Sequence, residues 1–74
     1  MAYQENTALW NQIEGSWKQL RGDVRKAWGW LTDDEFEQIR GQRDKLAGKL
    51  QEHYGIAQEE ANRRIDEWAE RLKF

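Results

Sequence analysis

The stretch GSWKQLRGDVRKAWGWLTDDEF, residues 15–36, decides the fold. Extended back to Trp10 and Ile13, its apolar positions are Trp17, Leu20, Val24, Trp28 and Leu31, spaced mostly three or four apart. That spacing lines one face of an α-helix, and strand alternation appears nowhere in the chain. At its end, Thr32 is placed to cap a new helix. Glu35 completes a capping box, Leu31 and Phe36 form a hydrophobic staple, and Asp33 and Asp34 fill an acidic first turn. The stripe of this second segment is Phe36, Ile39, Leu46, Leu50 and Tyr54, and Gly55 stands where a left-handed cap is expected. A third segment repeats the spacing with Ala61, Ile65, Trp68 and Leu72, opening on Glu59 and Glu60 and closing on Arg71 and Lys73. An all-α fold is expected.

The glycines of the quoted stretch stand seven residues apart, at Gly15, Gly22 and Gly29. A shift of 26 residues lays them on Gly41, Gly48 and Gly55, and lays Trp10 on Phe36, Ile13 on Ile39, Leu20 on Leu46, Val24 on Leu50 and Trp28 on Tyr54. All six glycines belong to the two triplets, which reads as a duplicated helical unit. At about 100° per residue each triplet falls opposite its stripe, away from the expected core. Gly29 and Gly55 read as helix C-caps. For the others three roles compete: Gly15 and Gly41 break the helices, a smooth face admits another backbone or a partner, or helicity is deliberately marginal. The expected core is Trp10, Ile13, Trp17, Leu20, Val24, Trp28, Phe36, Ile39, Leu46, Leu50, Tyr54, Ile65 and Trp68. Trp30 lies off the stripe, either exposed or closing the hinge between the units. Arg43 holds the stripe position that matches Trp17, where stacking on an aromatic ring reconciles charge with burial.

Composition limits the function classes. A chain of 74 residues makes one domain, 1–74, with residues 1–7 expected to fray. There is no cysteine, so disulfides and thiolate metal sites are excluded. No apolar run approaches the roughly 20 residues of a membrane span, and the first residues lack the basic start and apolar stretch of a secretory signal. The expected address is cytoplasmic, with no membrane partner. Charge is dense but balanced, twelve Lys and Arg against fourteen Asp and Glu. No strongly basic domain results, which weakens a nucleic-acid reading. Mean hydropathy of −1.15 approaches that of disordered chains, but five Trp, two Tyr and two Phe argue for a fold.

Candidate chemistry is sparse. Asp33, Asp34 and Glu35 could serve a cation or acid-base work, but helix initiation accounts for all three. His53, the one histidine, reads as a solvated residue in a last turn. The glycine spacing matches no phosphate-loop or dinucleotide fingerprint, and Ser16 has no nucleophile elbow around it. Lys18, Arg21 and Arg25 share one side of the first helix near Trp17 and Trp28. They are the candidate nucleic-acid contacts, but the tryptophans lie on the core stripe, and a solvated face is the favoured reading. No catalytic residue, metal site or cofactor is expected. An enzyme would require a pocket gathering two or more titratable groups.

The run GSWKQLRGDVRKAWGWLTDDEF, followed by GQRDKLAGKLQEHYGIAQEEA at residues 41–61, resembles the CsbD-like family of small bacterial general-stress-response proteins. The similarity covers residues 13 to 68, with departures at Trp30, Glu35-Phe36 and His53, where the family commonly has Lys, Asp-Leu and Arg. The resemblance implies four or so helices arranged as two helical hairpins packed across each other. It also implies a cytosolic protein abundant under osmotic or stationary-phase stress, with a protein partner as one mode of action and no catalytic residues to carry over.

Overall fold

Residues 7–72 are described by the structure, a computed structural model. They form α1 (Thr7–Gly15), a 3-10 turn (Trp17–Leu20), α2 (Arg21–Ala27), α3 (Asp33–Ile39), α4 (Arg43–Tyr54) and α5 (Gln58–Arg71), with no strand among the described residues. The fraying expected at residues 1–7 falls outside the described residues except at Thr7, which opens α1. No helix among the described residues is long and apolar enough to cross a membrane.

The stripe of the first segment is continuous in burial but not in helix. Trp10, Ile13, Trp17, Leu20, Val24, Trp28 and Leu31 are all buried. Yet α1 stops at Gly15, Ser16 leaves the helical region at φ −108° and ψ 17°, and the chain tightens into a 3-10 turn before α2. A 3-10 turn winds three residues per turn, so this short insert re-aims the axis while keeping Trp17 and Leu20 on the inner side. Of the three roles open for Gly15 and Gly41, helix interruption is the one found at both.

The second segment begins as its sequence implies. The Thr32 hydroxyl accepts from the Glu35 N–H at 3.1 Å, and the Glu35 carboxylate accepts from the Thr32 N–H at 3.0 Å, a complete capping box. Helix α3 ends at two consecutive left-handed residues, Arg40 (φ 51°) and Gly41 (φ 74°). Gly55 (φ 66°) closes α4 in the left-handed conformation, its N–H bonded to the Gln51 carbonyl at 2.9 Å.

Three expectations are corrected. Gly41 does not face away from the core: it is buried, and a Cβ there would stand 2.8 Å from the Cα of Glu14. The backbone of α1 crosses the α3–α4 corner at this point, where only a residue without a side chain fits. Gly29 is not a left-handed cap. Trp28 is the C-cap of α2, its N–H bonded to the Val24 carbonyl at 2.7 Å, and the chain turns there without a positive φ. Tyr54 is 39% exposed, because α4 ends at this residue and leaves its ring at the rim of the core.

The interior otherwise holds the expected residues, joined by Leu31, Ala47, Ala61 and Ala69. Trp17 stacks on Phe36 with centroids 4.7 Å apart and planes 11° apart, and Trp28 meets Trp68 at 5.1 Å. Two of the three buried indoles of the first segment satisfy their N–H on main chain across the fold: Trp10 donates to the Gly41 carbonyl and Trp17 to the Phe36 carbonyl, each at 2.9 Å.

Trp28→Ala or Trp68→Ala should each lower unfolding free energy by about 3–5 kcal/mol in a denaturant melt. A variant as stable as the parent would refute the pairing. Gly41→Ala should cost about 2 kcal/mol or more, from left-handed strain and the overlap with Glu14. Gly48→Ala, inside α4 with nothing within 4 Å of the added Cβ, should instead gain about 0.5–1 kcal/mol.

Candidate functional site

Arg21 and Arg25 lie one turn apart on α2 and so share a side of it. Both meet the start of α3. Arg21 donates through Nη1 to Asp33 Oδ1 at 3.0 Å and through Nη2 to Glu37 Oε2 at 2.6 Å, and Arg25 Nη2 reaches the same Asp33 oxygen at 2.5 Å. The Arg21 guanidinium carbon also lies 4.5 Å from the centroid of the Phe36 ring. The hydrogen bond and charge of Arg25, seconded by Arg21, hold the Asp33 carboxyl below its ordinary value. Two of the three candidate nucleic-acid contacts are thus engaged by carboxylates of their own chain. Lys18 points elsewhere, into a cleft with Glu14, Glu37 and Arg40.

Trp30 and His53 form a second cluster. Trp30, half-buried, stacks face to face on His53 at 4.0 Å and meets Tyr54 edge-on at 5.6 Å. Its Nε1 donates to the Tyr54 hydroxyl at 2.8 Å, and the Arg64 guanidinium lies over the Tyr54 ring at 4.7 Å. Trp30 is thus neither fully exposed nor buried, and it ties the α2–α3 connection to the end of α4. His53 is exposed but covered on one face by the indole.

Arg43 is the one charged residue in the interior among the described residues, 8% exposed. Its guanidinium stands over Trp10 at 5.4 Å, and Nη2 donates to the Asn62 carbonyl at 3.2 Å and to Asp66 Oδ1 at 2.6 Å. The stacking expected at this position is present, with Trp10 as the ring. Outside the core, Glu60 receives Arg63 and Arg64 on α5, and those hydrogen bonds hold its carboxyl below the usual value.

Two open clefts meet at Arg40. One, of about 460 Å³, runs between α3 and α4 and includes Ile39, Lys45, Gly48 and Lys49 in its lining. The other, of about 610 Å³, lies against the break between α1 and the 3-10 turn and includes Glu14, Ser16, Lys18 and Glu37. Both gather several titratable groups. Ser16, the hydroxyl present there, makes no side-chain hydrogen bond to either carboxylate among the described residues. No group of three or more His, Cys, Asp or Glu placed to hold a metal occurs among the described residues either. Asp33, Asp34 and Glu35 open α3, as helix initiation requires.

Reading by helical face singles out Gly48 as a member of the glycine triplet, but not Arg40, Lys45 or Lys49. Their signal was present in the pair Arg40-Gly41 at a helix break and in Lys45 and Lys49 on either side of Gly48, but the cleft needs the packing of α3 on α4 to exist.

These features define a small all-helical protein with a charged, internally compensated surface. Residues 11–63 match the CsbD-like family. A UPF0337 protein of Rhodopseudomonas palustris is 50% identical over 64 residues, 86% of this chain and 97% of its own. The UPF0337 protein YjbJ of Shigella flexneri is 43% identical over 64 residues, 86% of this chain and 93% of its own. A UPF0337 protein of Nitrosomonas europaea is 47% identical over 60 residues, and the alignment covers 81% of this chain and 64% of that relative. No solved structure matches. The chain belongs to the CsbD-like family.

Asp33, Glu35 and Glu60 all titrate below their ordinary values of 3.8, 4.5 and 4.5 in the folded protein, Glu35 chiefly through the Thr32 N–H. A depressed carboxyl contributes stability that is complete above its unfolded value and is lost as pH falls through the folded one. The melting temperature should therefore be flat from pH ~7 to ~5 and fall between ~4.5 and ~3. Concentrated salt should shrink the drop, since the ion pairs of Asp33 and Glu60 are exposed. A melting temperature unchanged down to pH ~3 would overturn this account.

Proposed function

We propose that this protein is a non-enzymatic, cytoplasmic stress-response protein that works as a folded helical domain, either protecting by abundance or binding a partner. The observation that carries the reading is the CsbD-like match over residues 11–63, which spans α2, α3 and α4 and the Thr32 capping box. A folded mode of action is supported by the interior: sixteen apolar residues are buried among the described residues, and the indoles of Trp10 and Trp17 are satisfied across the fold. Such a core favours a standing domain over one that folds only as water is withdrawn.

We also read the domain, 1–74, as two copies of one helical unit packed across each other as hairpins. Support comes from a reciprocal pair of contacts. Trp10 and Phe36 are equivalent under the 26-residue shift, as are Trp17 and Arg43; Trp17 stacks on Phe36, while Arg43 lies over Trp10. Each copy offers its first aromatic to the other's residue seven positions on, the arrangement a two-fold relation produces. The competing reading, a nucleic-acid module acting through Lys18, Arg21 and Arg25, has two of its cations committed to Asp33 and Glu37. It predicts salt-sensitive retardation of RNA or DNA.

Two measurements test the proposal. The protein's abundance should rise on osmotic upshift or entry into stationary phase, and a strain lacking it should survive that stress less well; unchanged abundance and survival would overturn the stress role. The purified protein should melt cooperatively in dilute buffer and gain no helicity in concentrated osmolyte. A rise in helicity there would replace the standing domain with conditional folding.

A further inference from the structure

Arg40 and Gly48 each occupy a position where another residue would suit the backbone better. Arg40 sits at φ 51° and ψ 32°, a left-handed conformation that penalises a side chain and favours glycine or asparagine. Gly48 lies inside α4, where glycine is the least favoured residue after proline, and no atom stands within 4 Å of its missing Cβ. The fold asks for neither choice. Both residues nevertheless line the same cleft of about 460 Å³ between α3 and α4. Local choices that run against the fold without a structural return gather at sites kept for another purpose.

Arg21, Arg25, Arg43, Arg63 and Arg64 are each held by a carboxylate. Among the described residues Lys18, Lys26, Arg40, Lys45 and Arg71 have no carboxylate at ion-pair distance, and Arg40 and Lys45 are the two of these that share this cleft. Lys49 has Glu35 at 3.5 Å. Three cations thus line one concavity whose wall includes Ile39, and the absent side chain of Gly48 keeps it open.

We propose that the cleft between α3 and α4 binds a small phosphorylated molecule, its phosphate taken by Arg40 together with Lys45 and Lys49. A guanidinium presents paired donors that match phosphate oxygens, and the two ammonium groups add charge from the facing helix. Gln38 and Glu52 complete the lining with groups that can hydrogen-bond the rest of such a ligand. The volume lies in the range of small-molecule sites. A long polyanion fits less well: Glu52 lines the cleft itself, Glu14 and Glu37 line the adjoining one, and the chain carries a net charge of −2. The site does not depend on the stress-response reading.

The test is a titration of the full, isotope-labelled chain with pyrophosphate, followed by NMR, beside melts of Arg40→Gly, Gly48→Ala and Lys45→Gln. Saturable shifts confined to residues 38–52 are expected. Arg40→Gly and Gly48→Ala should melt above the parent yet bind pyrophosphate about tenfold more weakly or worse, and Lys45→Gln should melt as the parent while binding more weakly. That opposition between stability and binding is what a merely structural Arg40 or Gly48 would not produce. The proposal is overturned by shifts that never saturate, by shifts equally large at Lys26 and Arg71, or by Arg40→Gly binding like the parent. It is overturned too if a short single-stranded oligonucleotide binds through these residues and pyrophosphate does not.

Discussion

The fold turns on one close approach, the crossing of α1 over the corner at Gly41. The Cα of Glu14 lies 2.8 Å from where a Cβ on residue 41 would stand, and the Trp10 indole one turn earlier donates to the Gly41 carbonyl. Contact between backbones at this distance brings Trp10 and Ile13 onto Ile39 and the rest of the interior. Any side chain at position 41 would push α1 outward and open the largest rings of the core to water. The left-handed backbone at Arg40 and Gly41 follows from the same constraint, because the chain must reverse into α4 within two residues of that crossing.

Arg43 is the second element on which the interior is organised. A guanidinium among apolar side chains is costly unless it is paired and covered, and here Nη2 donates to Asp66 and to the Asn62 carbonyl while the group lies over the Trp10 ring. The group adds less to net stability than to specificity, since it accepts one arrangement of α1, α4 and α5 around it and rejects sliding of any one helix.

Periodicity made the inward residues legible: every expected core position except Tyr54 is buried, and the Thr32 capping box and the Gly55 cap form as their residues imply. Those features are local, set by spacing along one helix or by four consecutive residues. What escaped the sequence depends on neighbours. Gly41 was placed outside because an ideal helix was carried through the very break it makes. Gly29 was given a cap that Trp28 takes, and Tyr54 was counted inside although its helix ends there. The expected basic face of Lys18, Arg21 and Arg25 is divided: Arg21 and Arg25 share a side of α2 and meet carboxylates of α3 through tertiary packing, while Lys18 stands on the 3-10 turn. The cleft at Arg40 exists only between two helices and has no signature along either.

The shortness of the helices has a consequence for the life of the protein in a cell. Helices α2 and α3 have seven residues each and α1 nine, all below the length at which an isolated helix persists in water. Only packing against the others holds them, so none of these three keeps its structure once separated. A proteolytic cut between Gly15 and Asp33 therefore unfolds the first half of the chain, whereas α4 and α5, longer and packed on each other, are the pair that resists longest.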